Sequence, residues 1–272
     1  MIRKLTMQDK ASVLDFLHRE AEINIYIIGD IYNGAFNNPN QQLYGEFRDD
    51  EYFAVMSRNM SNITYYAKSS DFNKEWIDVF NQFDFLFISG KEALLEAIKP
   101  FYPSMREDKM KFMKSTTFTR DESIDYSGIQ ILRTKEEATK VFELIKHIPE
   151  LFTLHRKGSN EAVQYLTHHS GENGTTCFME DEHGRVMASA SAVFETKKNA
   201  MIVAVATHSD ARGKGYGRTV MHYLMDLYIN HKGKDLCLYY DDPIPEKLYK
   251  SLNFIDIERW SMLVPDDPST QY

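Results

Sequence analysis

Residues 209–218 read SDARGKGYGR, with Gly213, Gly215 and Gly217 at alternate positions and Arg212, Lys214 and Arg218 among them. The chain holds 13 glycines in 272 residues, so three within five positions need a reason. One is a flexible turn carrying ordinary surface cations. The other is a backbone shaped to hold an anion: glycine lets the main chain curl and come close without a Cβ in the way, and the cations add charge at the same point. The flanking segments bear on the choice. AMIVAVAT (200–207) is a buried-strand run. In RTVMHYLMDLYINHKGK (218–234), Val220, Leu224, Leu227 and Tyr228 recur at helical spacing, and His231, Lys232 and Gly233 form a C-terminal end. The glycines therefore lie between a strand and a helix start, where unpaired N–H groups and partial positive charge favour phosphates.

The pattern is not a Walker A loop, because no Lys-Ser or Lys-Thr follows the last glycine. It is not the dinucleotide fingerprint either, because Arg218 stands where that pattern needs glycine or alanine. The spacing Arg-x-x-Gly-x-Gly at Arg212, Gly215 and Gly217 resembles the acyl-coenzyme-A pyrophosphate loop of the GNAT superfamily, the Gcn5-related N-acetyltransferases. A second element agrees: LYYDDPIPEKLYKSLNF (238–254) is similar to the family's strand, Asn, then helix ending Leu-Tyr-x-x-x-Gly-Phe. Leu248, Tyr249 and Phe254 match it. Asp242 occupies the usual Asn place and Asn253 the usual Gly place. The resemblance covers roughly residues 128–264, and the substitution at Asp242 puts the Asn-type coenzyme contact in question more than the fold.

The resemblance implies two central parallel strands, here 200–207 and 235–240, that splay apart around acetyl-CoA as co-substrate. Backbone groups of Val205, Ala206 and Thr207 would pair with the pantetheine arm. Arg212, Gly213, Lys214, Gly215, Tyr216, Gly217 and Arg218 would hold the pyrophosphate, with Asp242 nearby. An amine would attack the thioester carbonyl directly in a ternary complex, and Tyr249 matches the position that protonates the leaving thiolate. Taken on its own, without the resemblance, Tyr249 reads as a half-buried tyrosine packing beside Leu248 and Leu252. Some branches of the family place a glutamate base on the strand before the loop; Met201 stands there and has no basic atom. Glu180, Glu195, His155 and His208 are alternatives, as are a water chain or an acceptor arriving as free base. The function expected is N-acetyl transfer from acetyl-CoA to a primary amine of a small molecule or peptide. A non-catalytic acyl-CoA-binding module, or transfer of another acyl or aminoacyl group, stays open.

These residues need elements to position them. From 129 the pattern reads strand (IQIL), helix (135–148), helix (160–169), strands near 175–180, 186–195 and 200–207, the glycine turn, a helix to 231, a strand at 235–240, a short helix at 245–252, and two last strand runs in FIDIERWSMLV. The first half repeats that order: a strand at 2–6, helices at 9–20 and 21–32, strands at 43–48, 52–58 and 62–67, helix 74–83, strand 85–89, a helix from 91 ended by Pro100, and a strand at 109–118. Polar DESIDYSG (121–128) reads as a linker. The reading is an α/β (α+β) chain of two tandem GNAT-like domains, each a mixed central sheet flanked by helices. Residues 1–120 form a degenerate domain without a coenzyme loop, since the stretch near 68–74 has no glycine, and 129–272 form the catalytic one.

Composition agrees. Apolar residues make up 43% and charged residues 26% of the chain, with a net charge of −8, the balance of an ordinary globular protein. No concentrated basic surface points to nucleic acid; Lys109, Lys111 and Lys114 read as the solvent face of a strand. Cys177 and Cys237 lie in apolar runs and read as buried thiols, and no zinc-ligand spacing occurs. MIRKLTMQDK lacks the apolar core of a signal peptide, and INIYIIGDIY is too short and too interrupted to span a bilayer. A cytoplasmic protein is expected, with no membrane partner.

Overall fold

A computed structural model of the protein describes residues 1–148, 158–168, 170–171, 174–241 and 243–266. The chain forms two compact units. One comprises Met1–Met113, Tyr239–Asp241 and the segment from Asp256 onward; the other comprises Lys114–Leu238 and Asp242–Ile255.

In the first unit, β1 (Ile2–Lys4), β2 (Gln41–Arg48), β3 (Glu51–Asn59), β4 (Asn62–Ala67), β5 (Phe87–Lys91), β12 (Ile255–Pro265) and β6 (Met105–Ser115) lie side by side in the order β1-β2-β3-β4-β5-β12-β6. The β2–β3–β4 meander is antiparallel, and β4 then pairs parallel with β5. That crossover is bridged by α3 (Glu75–Phe80). Trp76 and Phe80 of α3 bury themselves against Tyr65 of β4, so the helix covers one face of the sheet. α1 (Lys10–Leu17), α2 (Ile25–Tyr32) and α4 (Glu92–Ile98) complete the unit. α4 stops two residues before Pro100, whose ring cannot continue the ladder.

The second unit orders its strands β11-β10-β9-β8-β7, with β7 at Gln130–Ile131, β8 at Gly174–Glu180, β9 at Val186–Val193, β10 at Asn199–Thr207 and β11 at Asp235–Tyr240. α5 (Lys135–Ile145) starts from a capping box in which Thr134 and Glu137 satisfy each other's backbone N–H groups. With α6 (Gly158–His168) it packs onto Phe178, Val186, Ala204 and Ala206 of the strands, forming the core of this unit. α7 (Tyr216–Met225) continues through a π turn at Asp226–His231 and ends at Gly233, which adopts φ 64°. α8 covers Pro243–Ser251.

Two expectations change. FIDIERWSMLV is one strand, and it does not serve the second half of the chain: Trp260, Ser261, Met262 and Leu263 pair antiparallel with Lys91, Gly90, Ser89 and Ile88 of β5. Its burial does not alternate, with Trp260 and Ser261 and then Leu263 and Val264 buried as neighbours, and its local pattern names no partner, so the destination is a tertiary choice. The 121–128 segment is not a free linker. Tyr126 packs edge-on against Tyr223 of α7, and just before it Phe118 meets His222 and Arg120 approaches Asp226 at 3.5 Å. Lys109 is exposed, in line with a solvent-facing strand position, and pairs with Glu92 at 2.6 Å, while the less exposed Lys114 pairs with Asp235 at 2.9 Å.

Candidate acyl-donor site

β10 and β11 run parallel and pair through only three positions, Asn199, Ala200 and Met201 with Asp235, Leu236 and Cys237. β10 continues for six more residues on its other edge with β9, through Ser189 and Ala188 opposite Ala206 and Thr207. Between Val203 and Ala206 the register slips, and Ala204 takes φ 52°. This bulge costs strain in a residue with a Cβ and bends the strand. The sequence offers no cue to it, because alanine in an apolar run looks like ordinary strand. The result is a strand edge from Ile202 onward that β11 does not cover. The N–H of His208 donates to Met187 of β9 at 2.8 Å. By strand alternation the main-chain groups of Thr207 face the opposite, uncovered edge.

The glycine segment follows directly. Ser209–Ala211 form one 3₁₀ turn, tied down by the N–H of Asp210 donating to Nδ1 of His208 at 3.1 Å. Gly213 and Gly215 then adopt φ 73° and 89°, a left-handed backbone that residues with a Cβ reach only with strain. Gly215 is the N-cap of α7, and the first intrahelical bond runs from the N–H of Thr219 to its carbonyl. Among the described residues, the N–H groups of Gly213, Gly215, Tyr216, Gly217 and Arg218 meet no acceptor, which leaves five donors around one helix start. Arg212, Lys214 and Arg218 stand at the same turn and make no ion pair among the described residues. Gly217 differs from the other two glycines. Its backbone is unstrained, but a Cβ would stand 2.6 Å from the Thr207 hydroxyl.

At the second motif, Leu248 and Tyr249 lie in the last turns of α8. Phe254 N–H donates back to Tyr249 O at 3.1 Å, and Asn253 N–H to Lys250 O at 3.2 Å. Asn253 takes φ 62°. This is a Schellman C-cap, with Asn in the left-handed position that glycine usually fills and with the Tyr249 and Phe254 rings 6.0 Å apart as its apolar contact. Asparagine tolerates that conformation, which explains why the departure at 253 leaves the motif standing. Tyr249 is buried, and burial pushes its hydroxyl pKa up to about 12. Asp242 and His155 lie outside the described residues.

Among the described residues no candidate base is free. Met201 is fully buried. Glu180 bonds Lys140 and Gln130, both at 3.0 Å. Glu195 is opposed by burial, but the donors Lys234 at 2.7 Å, Tyr228 at 2.6 Å and Lys232 at 2.9 Å outweigh it and hold the carboxyl below its ordinary value. His208 accepts the Asp210 N–H at Nδ1, which makes Nε2 the protonated nitrogen of its neutral ring. Cys177 and Cys237 are fully buried and form no disulfide, and burial raises the Cys177 thiol to about 12, so it is no nucleophile.

A sequence model of the acetyltransferase (GNAT) family matches residues 140–254, the segment that contains both motifs. This segment belongs to the GNAT family. The whole chain also has the fold of solved GNAT proteins. A tandem GNAT protein from the clavulanic acid biosynthesis pathway, solved without acetyl-CoA, is similar over 97% of each chain at 12% identity and a TM-score of 0.60. A Drosophila protein is similar over 98% of this chain and 99% of its own at 13% identity and 0.70. A GCN5-related N-acetyltransferase from Sphaerobacter thermophilus is similar over 97% and 94% at 12% and 0.63. At these identities the likeness is one of fold. Among curated proteins no relative matches the sequence. Among the described residues no helix is long and apolar enough to cross a membrane.

Proposed function

We propose that the chain is an N-acetyltransferase that takes acetyl-CoA as co-substrate in the second unit and passes the acetyl group to a primary amine. The observation that carries this reading is the five unpaired N–H groups of Gly213 and Gly215–Arg218, gathered at one helix start beside the uncovered edge of β10. Oriented backbone donors of this kind suit a pyrophosphate. Arg212, Lys214 and Arg218 add charge, and Tyr216 opens the helix among them. Val205 and Thr207 lie two apart on the uncovered edge, so their backbone groups suit the amides of a pantetheine arm, with Ala206 between them turned toward β9.

Acetyl-CoA supplies an activated thioester with a thiolate leaving group. The chain's part is to orient it and to move one proton: Tyr249, whose raised pKa keeps it protonated across the physiological range, serves as the acid for the departing sulfur. An alkyl amine with a pKa near 10.4 costs about 4–5 kcal/mol to deprotonate at pH 7. Because Met201, Glu180, Glu195 and His208 offer no free basic atom, the acceptor enters as the free base or loses its proton to water or to a group outside the described residues, such as His155. The same deficit favours the second reading, a module that binds acyl-CoA and turns it over slowly or not at all. Thiol release from acetyl-CoA, assayed against a panel of amines, peptides and aminoglycosides, separates the two. Release above background hydrolysis with any acceptor identifies an enzyme; binding by calorimetry without release identifies a module; no binding rejects both. Cytoplasmic residence and independence of nucleic acid are part of the same proposal.

A further inference from the structure

Of the three loop glycines, Gly217 is the one whose lack of a side chain is not explained by backbone conformation. Gly213 and Gly215 have left-handed φ values and open space around the Cβ direction. Gly217 has an ordinary helical backbone, and a methyl group there would sit 2.6 Å from Thr207 Oγ1 and 3.8 Å from Thr207 Cβ. No real Cβ tolerates the shorter contact. Thr207 is the last residue of β10, in register with Ala188 of β9, so its backbone is held by the sheet. It is also β-branched: two of its three staggered side-chain positions carry a heavy atom, so only one χ1 well clears the space. The first turn of α7 is thus seated directly on the Thr207 side chain.

The structure assigns Thr207 as the positioning residue of the anion cradle: its hydroxyl fills the space that Gly217 leaves, and this contact sets how close the five free N–H groups stand to the uncovered edge of β10. The inference rests on the acyl-CoA reading above for its consequence, but not for the contact itself. A Cβ at position 217 would act through Thr207, pushing the helix start away from the strand end. That differs from the usual expectation for a small residue in a phosphate loop, where the added methyl obstructs the ligand directly. The two make opposite forecasts for a compensating change at Thr207.

The test is a set of full-length variants: Gly217→Ala alone, and Gly217→Ala combined with Thr207→Ala or with Thr207→Ser. Each is measured for melting temperature and for acetyl-CoA affinity by calorimetry, with kcat and KM where turnover is seen. Gly217→Ala is expected to weaken acetyl-CoA binding about tenfold or more and to lower the melting temperature. Adding Thr207→Ala removes the hydroxyl and is expected to recover most of both losses. Adding Thr207→Ser keeps the oxygen but leaves two χ1 wells that clear the space, so it is expected to recover part of both losses, less than Thr207→Ala. Gly217→Ala with wild-type affinity and melting temperature would overturn the assignment. So would a double variant with Thr207→Ala that melts like the wild type yet still binds poorly, because the methyl would then be obstructing the ligand itself. If Gly217→Ala does not fold, recovery of folding by Thr207→Ala supports the assignment, and no recovery overturns it. If the wild type binds no acetyl-CoA, the functional reading falls, while the melting temperatures still decide whether Thr207 seats the helix.

Discussion

Tyr249 and Asp30 are both buried, and burial raises the pKa of each, with opposite consequences. For Tyr249 the raised value keeps a proton available, so Tyr249→Phe should lower kcat while leaving acetyl-CoA affinity nearly unchanged, since the Phe ring keeps the packing on Phe254. General acid help is typically worth about 10²–10⁴ in rate, and because water can protonate a thiolate the low end or less is expected. The comparison is kcat against the calorimetric Kd; an unchanged kcat under chemistry-limited conditions would leave Tyr249 as a C-cap residue alone. For Asp30, on α2, burial outweighs hydrogen bonds from Ser57 at 2.7 Å and Asn59 at 2.7 Å and lifts the pKa from 3.8 to about 6, with Gln41 a further donor at 3.2 Å. A carboxyl whose folded pKa is raised opposes folding above that pKa, and the penalty fades as the pH falls toward the unfolded value. The shift corresponds to at most about 3 kcal/mol. Asp30→Asn should therefore raise the melting temperature at pH 7.5, and its advantage over the wild type should shrink steadily toward pH 4.5. An advantage that is constant with pH would mean that the carboxyl is not the cause.

The helix start at Gly215 and the helix end at Asn253 both depend on one residue with positive φ. Gly215→Val meets no neighbour, but it must adopt a left-handed backbone at a cost of about 1–2 kcal/mol. It should fold, melt lower and bind acetyl-CoA more weakly, because relief of the strain rotates the donor groups. Unchanged affinity in the folded variant would remove the phosphate role of this loop. At the other end, Asn253→Gly should be neutral or slightly stabilising and Asn253→Val destabilising by about 1–2 kcal/mol, read from denaturant midpoints. Equal midpoints for the two would show that the left-handed C-cap does not form.

The first unit has the same strand order around its parallel pair. β4 and β5 also pair through three positions, Asn62, Ile63 and Thr64 with Phe87, Ile88 and Ser89. Beyond them the gap is shut: a Cβ on Gly90 would stand 2.6 Å from the carbonyl oxygen of Tyr65, so the two backbones stay in close contact where an opening would begin. The following segment, 68–74, contains no glycine, and α3 is a six-residue helix. One equivalent of acetyl-CoA should therefore bind per chain, measured by calorimetric titration of the intact protein; two equivalents would contradict this. The excursion of β12 sets another expectation. Expression of 121–272 alone would leave Trp260, Leu263 and Val264, all buried in the intact protein, without the β5 strand they pair beside. That fragment should be poorly soluble or bind a hydrophobic dye strongly, and a well-folded monomer would show that β12 has a second home.

The two motifs were legible in the sequence because each is local. Glycine spacing, flanking periodicity and a helix-ending Leu-Tyr-x-x-x-Asn-Phe are encoded within a few residues of the chain, and so were nearly all the elements around them. Three features were not legible, and each is a contact between distant positions. Thr207 fills the space beside Gly217 only because strand and helix meet at that distance. Ala204 is left-handed because the register with β9 slips, which no single residue type announces. The strand beginning at Ile255 has an apolar pattern that any sheet edge could accept, and only the burial of Trp260 and Leu263 beside β5 selects its partner. Local pattern decides which elements form and where a backbone can bend, whereas register and partner depend on the summed fit of side chains far apart in the chain.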